Sequence, residues 1–432
     1  MLKSLLTWTL LGALAALLVA AVALVMVLEP TPRVIQHTAP SPADVQQAKG
    51  FVRGVRDALN THTGEPALFN TDLTSLNATL KLGARLIPGF RGEMEPAFDQ
   101  VIGHASIPVP FTNGGRWLNA TLAAPPFEGE FKLSQAQIGP IHLPPGMTLT
   151  LLRVGANIIF GNQLGDTVTS AARAMTIDGS NLRFTLVMDQ VGGNGIMRGV
   201  FGTLRGRAMP GDDEITRYYY LIREAMESGE LPTEGSYLPY LAFTLAAAED
   251  GAEQEGADNA YTSAMFALTL ICGARDFTLV VGGLVTGDLD DGRAWTKNCS
   301  NVTLNDRIDS RRHFTTAAAI QAASNRGFAV SVGEFKELND TLKAGGFDFT
   351  DIAANNSGIR MSNRFMGAPL HDWPMLRERV QSEHDLIVSY DGIPQIMSEV
   401  DFNATYGDIE DPRYLTMLNQ IERKIDRLSL HQ

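Results

Sequence analysis

Residues Leu5 to Leu28 form an apolar run interrupted only by Thr7, Thr9 and Gly12, with Lys3 before it and Glu29-Pro30-Thr31-Pro32 after it. A run of this length reaches the roughly 20 residues that a helix needs to cross a hydrocarbon core of about 30 Å. The competing reading is a cleaved signal peptide, whose apolar region is about 7–15 residues long. The small-residue triplet Ala21-Val22-Ala23 lies inside the run rather than after it, which argues against cleavage. The sequence therefore predicts a retained transmembrane helix within residues 1–30, a single pass through the inner membrane by residues 5–28. Lys3 ahead of the span favours a cytoplasmic N-terminus. The bulk of the chain is then expected in the periplasm.

The remaining sequence has ample material for a core, since the whole chain is 44% hydrophobic and 19% charged. Its net charge of −13 argues against nucleic acid and against an electrostatic grip on anionic lipid. Two cysteines, Cys272 and Cys299, exclude a disulfide scaffold and every multi-cysteine metal site. In an oxidising compartment they can form one bridge, and otherwise they are two buried thiols; the sequence leaves both open.

The pattern along the chain predicts an α+β protein. Residues 31–42, rich in Pro, Thr and Ser, read as a short stiff stalk. Residues 43–190 read as a β-rich domain with a curved sheet and a few helices. Ser41-Pro42-Ala43-Asp44 has the hydroxyl, proline and acid of a helix start, and a helix to about Asn60 follows. Val101 to Ile107, Trp117 to Leu122, Gly129 to Leu133 and Leu182 to Met188 have strand composition. Gly192-Gly193-Asn194-Gly195 opens a connector over 191–211. Residues 212–432 read as a mostly α-helical domain, with helices expected at Ile215 to Glu230, Leu241 to Ala248, Ala260 to Ala274, Ser310 to Ser324, Val330 to Leu342 and Pro412 to Leu428. The acidic patch from Glu249 to Asp258 reads as a solvated loop.

Two resemblances add to this reading. Leu76-Asn77-Ala78-Thr79-Leu80, Trp117-Leu118-Asn119 and Ile138-Gly139-Pro140-Ile141-His142-Leu143-Pro144 resemble the layout of anchored envelope proteins related to amphiphile-binding modules. That resemblance implies an apolar groove holding a lipid tail, with Leu76, Trp117, Ile138 and Leu143 as ligand-binding candidates. From about Arg217 onwards, the elements His313-Phe314, Gly333-Glu334-Phe335-Lys336-Glu337-Leu338 and Gly346-Phe347-Asp348-Phe349-Thr350-Asp351 resemble an uncharacterised family of membrane-anchored proteobacterial proteins. It implies an architecture and no mechanism. Where that family tends to have Ala-Asp-Arg-Ala-Gly, this chain has Ala354-Asn355-Asn356-Ser357-Gly358.

Chemistry is concentrated between Arg307 and Asp351. Glu334, Glu337 and Asp340 recur at three-residue spacing and so share part of a helix face. Asp348 and Asp351 alternate with Phe347, Phe349 and Ile352 in what reads as a short hairpin or a turn into a helix. A helix-borne carboxyl followed by a second carboxylate is one way to build a glycosidase site, and His313, Glu337 and Asp351 are the catalytic candidates. The same residues read more readily as a solvated helix face, a helix cap and a backbone-bonded histidine. His313, Glu337 and Asp351 would suit a metal by ligand type, but their spacing gives no support, so no metal site is expected, and no phosphate-binding or dinucleotide motif points to a cofactor. The leading expectation is a non-catalytic periplasmic protein that binds lipid or maintains the envelope, with the inner membrane and a lipid or an envelope protein as partners. The alternatives are a cell-wall or polysaccharide hydrolase, and a scaffold that docks an envelope partner.

Overall fold

The computed structural model describes residues 27–35, 38–60, 65–85, 89–109, 115–160, 164–187, 199, 201–274, 299–340 and 346–432. It is an α+β protein, but the expected membrane-spanning helix is not part of it. Among the described residues no helix is long and apolar enough to cross a membrane. The expected span lies outside them except for Val27 and Leu28, and Leu28 is a strand residue, so no helix runs through the end of the apolar segment. The break expected at Gly192 to Gly195 also lies outside the described residues.

The N-terminal half holds two antiparallel sheets. In the first, β1 (Leu28–Glu29), β3 (Arg91–Ala97), β4 (Gln100–Val109), β5 (Arg116–Ala124), β7 (Gln135–Ile138) and β8 (Ile141–His142) are ordered β3-β4-β5-β7-β8. β1 takes the part of the β5 edge that β7 leaves open, pairing Leu28 with Leu118 and Glu29 with Trp117. The second sheet has the order β2 (Ala67–Asp72), β10 (Asn181–Leu186), β9 (Ala172–Asp178), β6 (Phe127–Glu128). Gly129 to Leu133, expected as a strand, falls after β6 and lacks a ladder. Helices α1 (Pro42–Asn60) and α2 (Leu73–Gly83) pack on each other, and α3 (Pro145–Phe160) packs on α4 (Leu164–Ala171).

The expected stalk is a strap bound to the first sheet. Strand periodicity turns Asn119 and Thr121 of β5 to one face together with Ser106 of β4, and all three are buried. The strap satisfies them. The Arg33 amide donates to Ser106 Oγ and Asn119 Oδ1, each at 3.0 Å, and the Val34 amide donates to Ser106 Oγ at 3.1 Å. Asn119 Nδ2 donates to the Thr31 carbonyl at 2.9 Å, and the Arg33 guanidinium donates to Thr121 Oγ1 at 2.7 Å. Gly139, at φ +54°, lies so close that a Cβ there would overlap the Val27 carbonyl. Both Leu-Asn elements are thus structural: Asn77 Oδ1 accepts from the Met94 amide and its Nδ2 donates to the Met94 carbonyl.

The helical half comprises α5 (Asp212–Glu227), α6 (Leu238–Glu255), α7 (Ala257–Cys272), α8 (Ile308–Ala323), α9 (Arg326–Asp340), α10 (Phe349–Gly367), α11 (Trp373–Glu378), α12 (Glu399–Tyr406) and α13 (Pro412–Ile425). Two short parallel strands, β11 (Glu234–Ser236) and β12 (Asn301–Thr303), tie it at one end. The acidic patch is helical rather than a loop, because α6 continues to Glu255 and stops only at Gly256. Helices α7, α8 and α10 are buried on nearly all sides, as helices without a polar face must be. Cys272 and Cys299 form a disulfide, with Cα atoms 5.3 Å apart, that joins the end of α7 to the approach to β12.

The two halves share a core. Val45 of α1 belongs to the same buried cluster as Leu338, Phe347, Phe349 and Tyr414, and α1 packs along α9. Beside it, Arg85 reaches across to Glu334 of α9 at 2.6 Å, and the Tyr414 hydroxyl donates to the other carboxylate oxygen at 3.0 Å. Glu334 is 2% exposed, and burial holds its carboxyl above the ordinary glutamate value against the pull of Arg85.

Three outcomes follow from this architecture. Arg85→Ala, which leaves Glu334 buried without its cation, should cost about 3–5 kcal/mol in denaturant unfolding, whereas Arg85→Met with Glu334→Leu should recover most of the loss. Asn119→Ala should destabilise by about 1–3 kcal/mol and open residues 29–34 to limited proteolysis. Breaking the bridge with Cys272→Ser should cost about 3 kcal/mol by loop-closure entropy, read as a lower denaturation midpoint.

Candidate functional site

Three helices meet at His313. On α8, Asp309 and His313 stand four residues apart and so share a face. On α9, Lys336 and Glu337 precede Asp340 by four and three residues, so each of them neighbours it on the helix surface. The start of α10 supplies Asp351 and, one turn later, Asn355. Small residues allow the approach: a Cβ at Gly358 would overlap the Phe314 carbonyl, and one at Gly333 would press on the Asn355 amide.

The start of α10 is pinned by the alternation seen in the sequence. Phe347 and Phe349 are both fully buried, their rings 5.0 Å apart, with Phe402 stacked on Phe347 at 4.5 Å. Between them Asp348 caps the helix, its carboxylate accepting from the Thr350 amide at 2.8 Å, while Arg307 lies 3.4 Å away. Asp348 is therefore committed to the fold. Of the two readings of this segment, a hairpin or a turn into a helix, the structure has the second: it is the entry to a helix of 19 residues.

The sequence-predicted trio converges. His313 Nε2 lies 3.0 Å from Asp351 Oδ2 and 4.0 Å from Glu337 Oε1, and all three residues are at most 5% exposed. Lys336, Asn355 and Asp309, which sequence reasoning did not single out, complete the arrangement. The Lys336 ammonium sits 2.8 Å from His313 Nε2, 2.9 Å from Glu337 Oε1 and 3.1 Å from Asp340 Oδ2. Asn355 Oδ1 faces His313 Nδ1 at 3.1 Å. An amide oxygen can only accept, so Nδ1 carries a proton and Nε2 is the ring atom turned to the cluster. The site reaches solvent through Asp309 and Lys336, whose side chains are 52% and 41% exposed. Asp309, His313 and Asp351 also place one ligand atom each within 4.8 Å of the others, a set that could hold a metal ion.

The electrostatics split the acids. Burial pushes Glu337 up to about 7 despite Lys336 and His313 beside it. Burial also raises Asp351, but the hydrogen bond and charge of His313, with Lys336 and Arg307, outweigh it and hold this carboxyl below the ordinary aspartate value. For His313, burial works against the cation, yet the Asp351 hydrogen bond leaves the imidazole above its ordinary value. Lys336 is likewise raised, because Glu337, Asp351 and Asp340 outweigh burial. One carboxyl able to hold a proton near neutrality thus lies beside one that stays ionised. That is the division of labour acid–base chemistry needs.

The four ligand-binding candidates do not share a pocket of this kind. Leu76 packs on a small core of Leu73, Val101 and Leu182, and Trp117 lies under the Arg91 guanidinium at 4.9 Å. Ile138 pairs with Ala120 and Ile141 in the first sheet, and the Leu143 amide donates to the Ala136 carbonyl. A cleft of about 580 Å³ does open in this half, between α1 and β2, lined by residues such as Gln47, Phe51, Asp57, Leu68 and Phe69, and none of the four lines it.

Searches against protein-family models, curated proteins and solved structures gave no match for this chain.

Proposed function

We propose that the helical half is the hydrolytic site of an enzyme acting on cell-wall or related polysaccharide. Asp351, held ionised by the His313 ring that Asn355 orients, draws a proton from the attacking water, while Glu337 delivers its own to the leaving oxygen. The reading rests on one observation: His313, Glu337 and Asp351, from three different helices, meet within 4.0 Å of one imidazole nitrogen. The Cys272–Cys299 bridge supports an oxidising compartment, where such polymers lie.

Glu337→Gln keeps the shape of the side chain and removes its proton. It should lower release of soluble fragments from purified cell-wall polysaccharide by about a hundredfold or more, with almost no change in melting temperature. A purely structural ion network gives the opposite pair of results, a lower melting temperature and unaltered release.

A second reading, amphiphile binding by the β-rich half, draws on the cleft between α1 and β2, where Phe51, Leu68 and Phe69 offer apolar contact beside polar Gln47, Asn70 and Asp72. Mass spectrometry of the purified chain should then find co-purifying lipid, lost on Phe51→Asp; lipid-free preparations would rule this reading out.

A further inference from the structure

We propose that the Lys336 ammonium occupies a cation site, and that a divalent metal ion takes its place among Asp309, His313, Asp351 and Glu337. The ammonium nitrogen is surrounded as a bound ion would be: His313 Nε2, Glu337 Oε1, Asp340 Oδ2 and Asp351 Oδ2 lie at 2.8, 2.9, 3.1 and 3.8 Å. An ammonium satisfies such a ring at hydrogen-bond distance. A metal draws nitrogen and oxygen ligands in to about 2.0–2.2 Å.

Three further features point to a metal. The His313 Nδ1–H is held by the Asn355 oxygen, which leaves Nε2 as the donor atom, the outer-shell arrangement that metal-binding histidines use. Asp351 is 5% exposed, yet its Oδ1 accepts no hydrogen bond from the described residues. Its nearest cation on that side is the Arg307 guanidinium at 3.9 Å, outside hydrogen-bond reach, which leaves this buried oxygen with lone pairs to offer. Asp309, His313 and Asp351 already bring their donor atoms within 4.8 Å of one another, and Asp309 is half exposed and free to close the remaining gap. The lysine can leave. Its side chain is 41% exposed, so its head can turn to water while its stem stays packed.

One imidazole with several carboxylates suits Mn2+, Fe2+ or Zn2+ better than the soft ions that thiolates select. A metal there would polarise a water beside Glu337. The inference uses the side chains of the hydrolytic reading but does not depend on it, because binding is measured without substrate.

The test is titration of the chelator-treated full chain with Mn2+, followed by electron paramagnetic resonance and calorimetry. One saturable ion per chain is expected, with affinity reduced about tenfold or more by Asp309→Asn and abolished by Asp351→Asn. Lys336→Met, which removes the competing ammonium, should tighten binding by about tenfold. Absence of saturable binding up to millimolar Mn2+ in natively folded wild-type protein overturns the proposal. So does binding that is indifferent to Asp309→Asn and to Lys336→Met. Asp309 is exposed, so its variant reads the site without endangering the fold.

Discussion

The close approach of α8 and α10 governs the rest of the helical half. Gly358 faces the Phe314 carbonyl with no room for a Cβ, and Ala317, Ala318 and Ala354 add small side chains to the same buried cluster. Helices that meet this closely bring short polar side chains on facing turns within hydrogen-bond reach. Asn355 therefore reaches the His313 ring from the neighbouring helix, and Tyr261 and Ser362 bond each other at 2.9 Å deeper in the same region. Close packing here is what holds the buried polar cluster at fixed distances.

Helix α9 is the element on which the two halves of the molecule converge. Two of its buried carboxylates, one helical turn apart, answer to different parts of the chain. Glu334 is held by Arg85 from the N-terminal half and by Tyr414, whereas Glu337 faces the cluster with Lys336 and His313. Removing Arg85 from the first set leaves a desolvated carboxylate behind. The position of Glu337 is therefore tied to the docking of α1 and α2, although neither helix touches the imidazole.

Much of this was legible in the residues. Capping signals located α1 to its ends at Pro42 and Asn60, and apolar periodicity found α5, α7, α8, α9 and α13 with small errors at their ends. The polar residues between Arg307 and Asp351 marked the region where His313, Glu337 and Asp351 meet. Of helix α10 the sequence announced only the capped start, for a physical reason. It is buried on nearly every side, so it shows no amphipathic period, and Asn355-Asn356-Ser357-Gly358 resemble a loop when their packing is unknown. The part Asn355 plays in orienting His313 went unread with it, because no local pattern places that residue beside another helix. The strap was misread for the opposite reason: Pro and Thr imply exposure, but Asn119 and Ser106 lie some seventy or more residues away in sequence, and no local pattern announces them.

The disulfide has a topological consequence. It holds two Cα atoms 27 positions apart in sequence at 5.3 Å. The end of α7 is thereby tied covalently to the approach to β12, where the Val302 carbonyl accepts from the Arg311 guanidinium at 3.0 Å. Helix α8 carries both Arg311 and His313, so the bridge is a distant support of the helix that bears the imidazole.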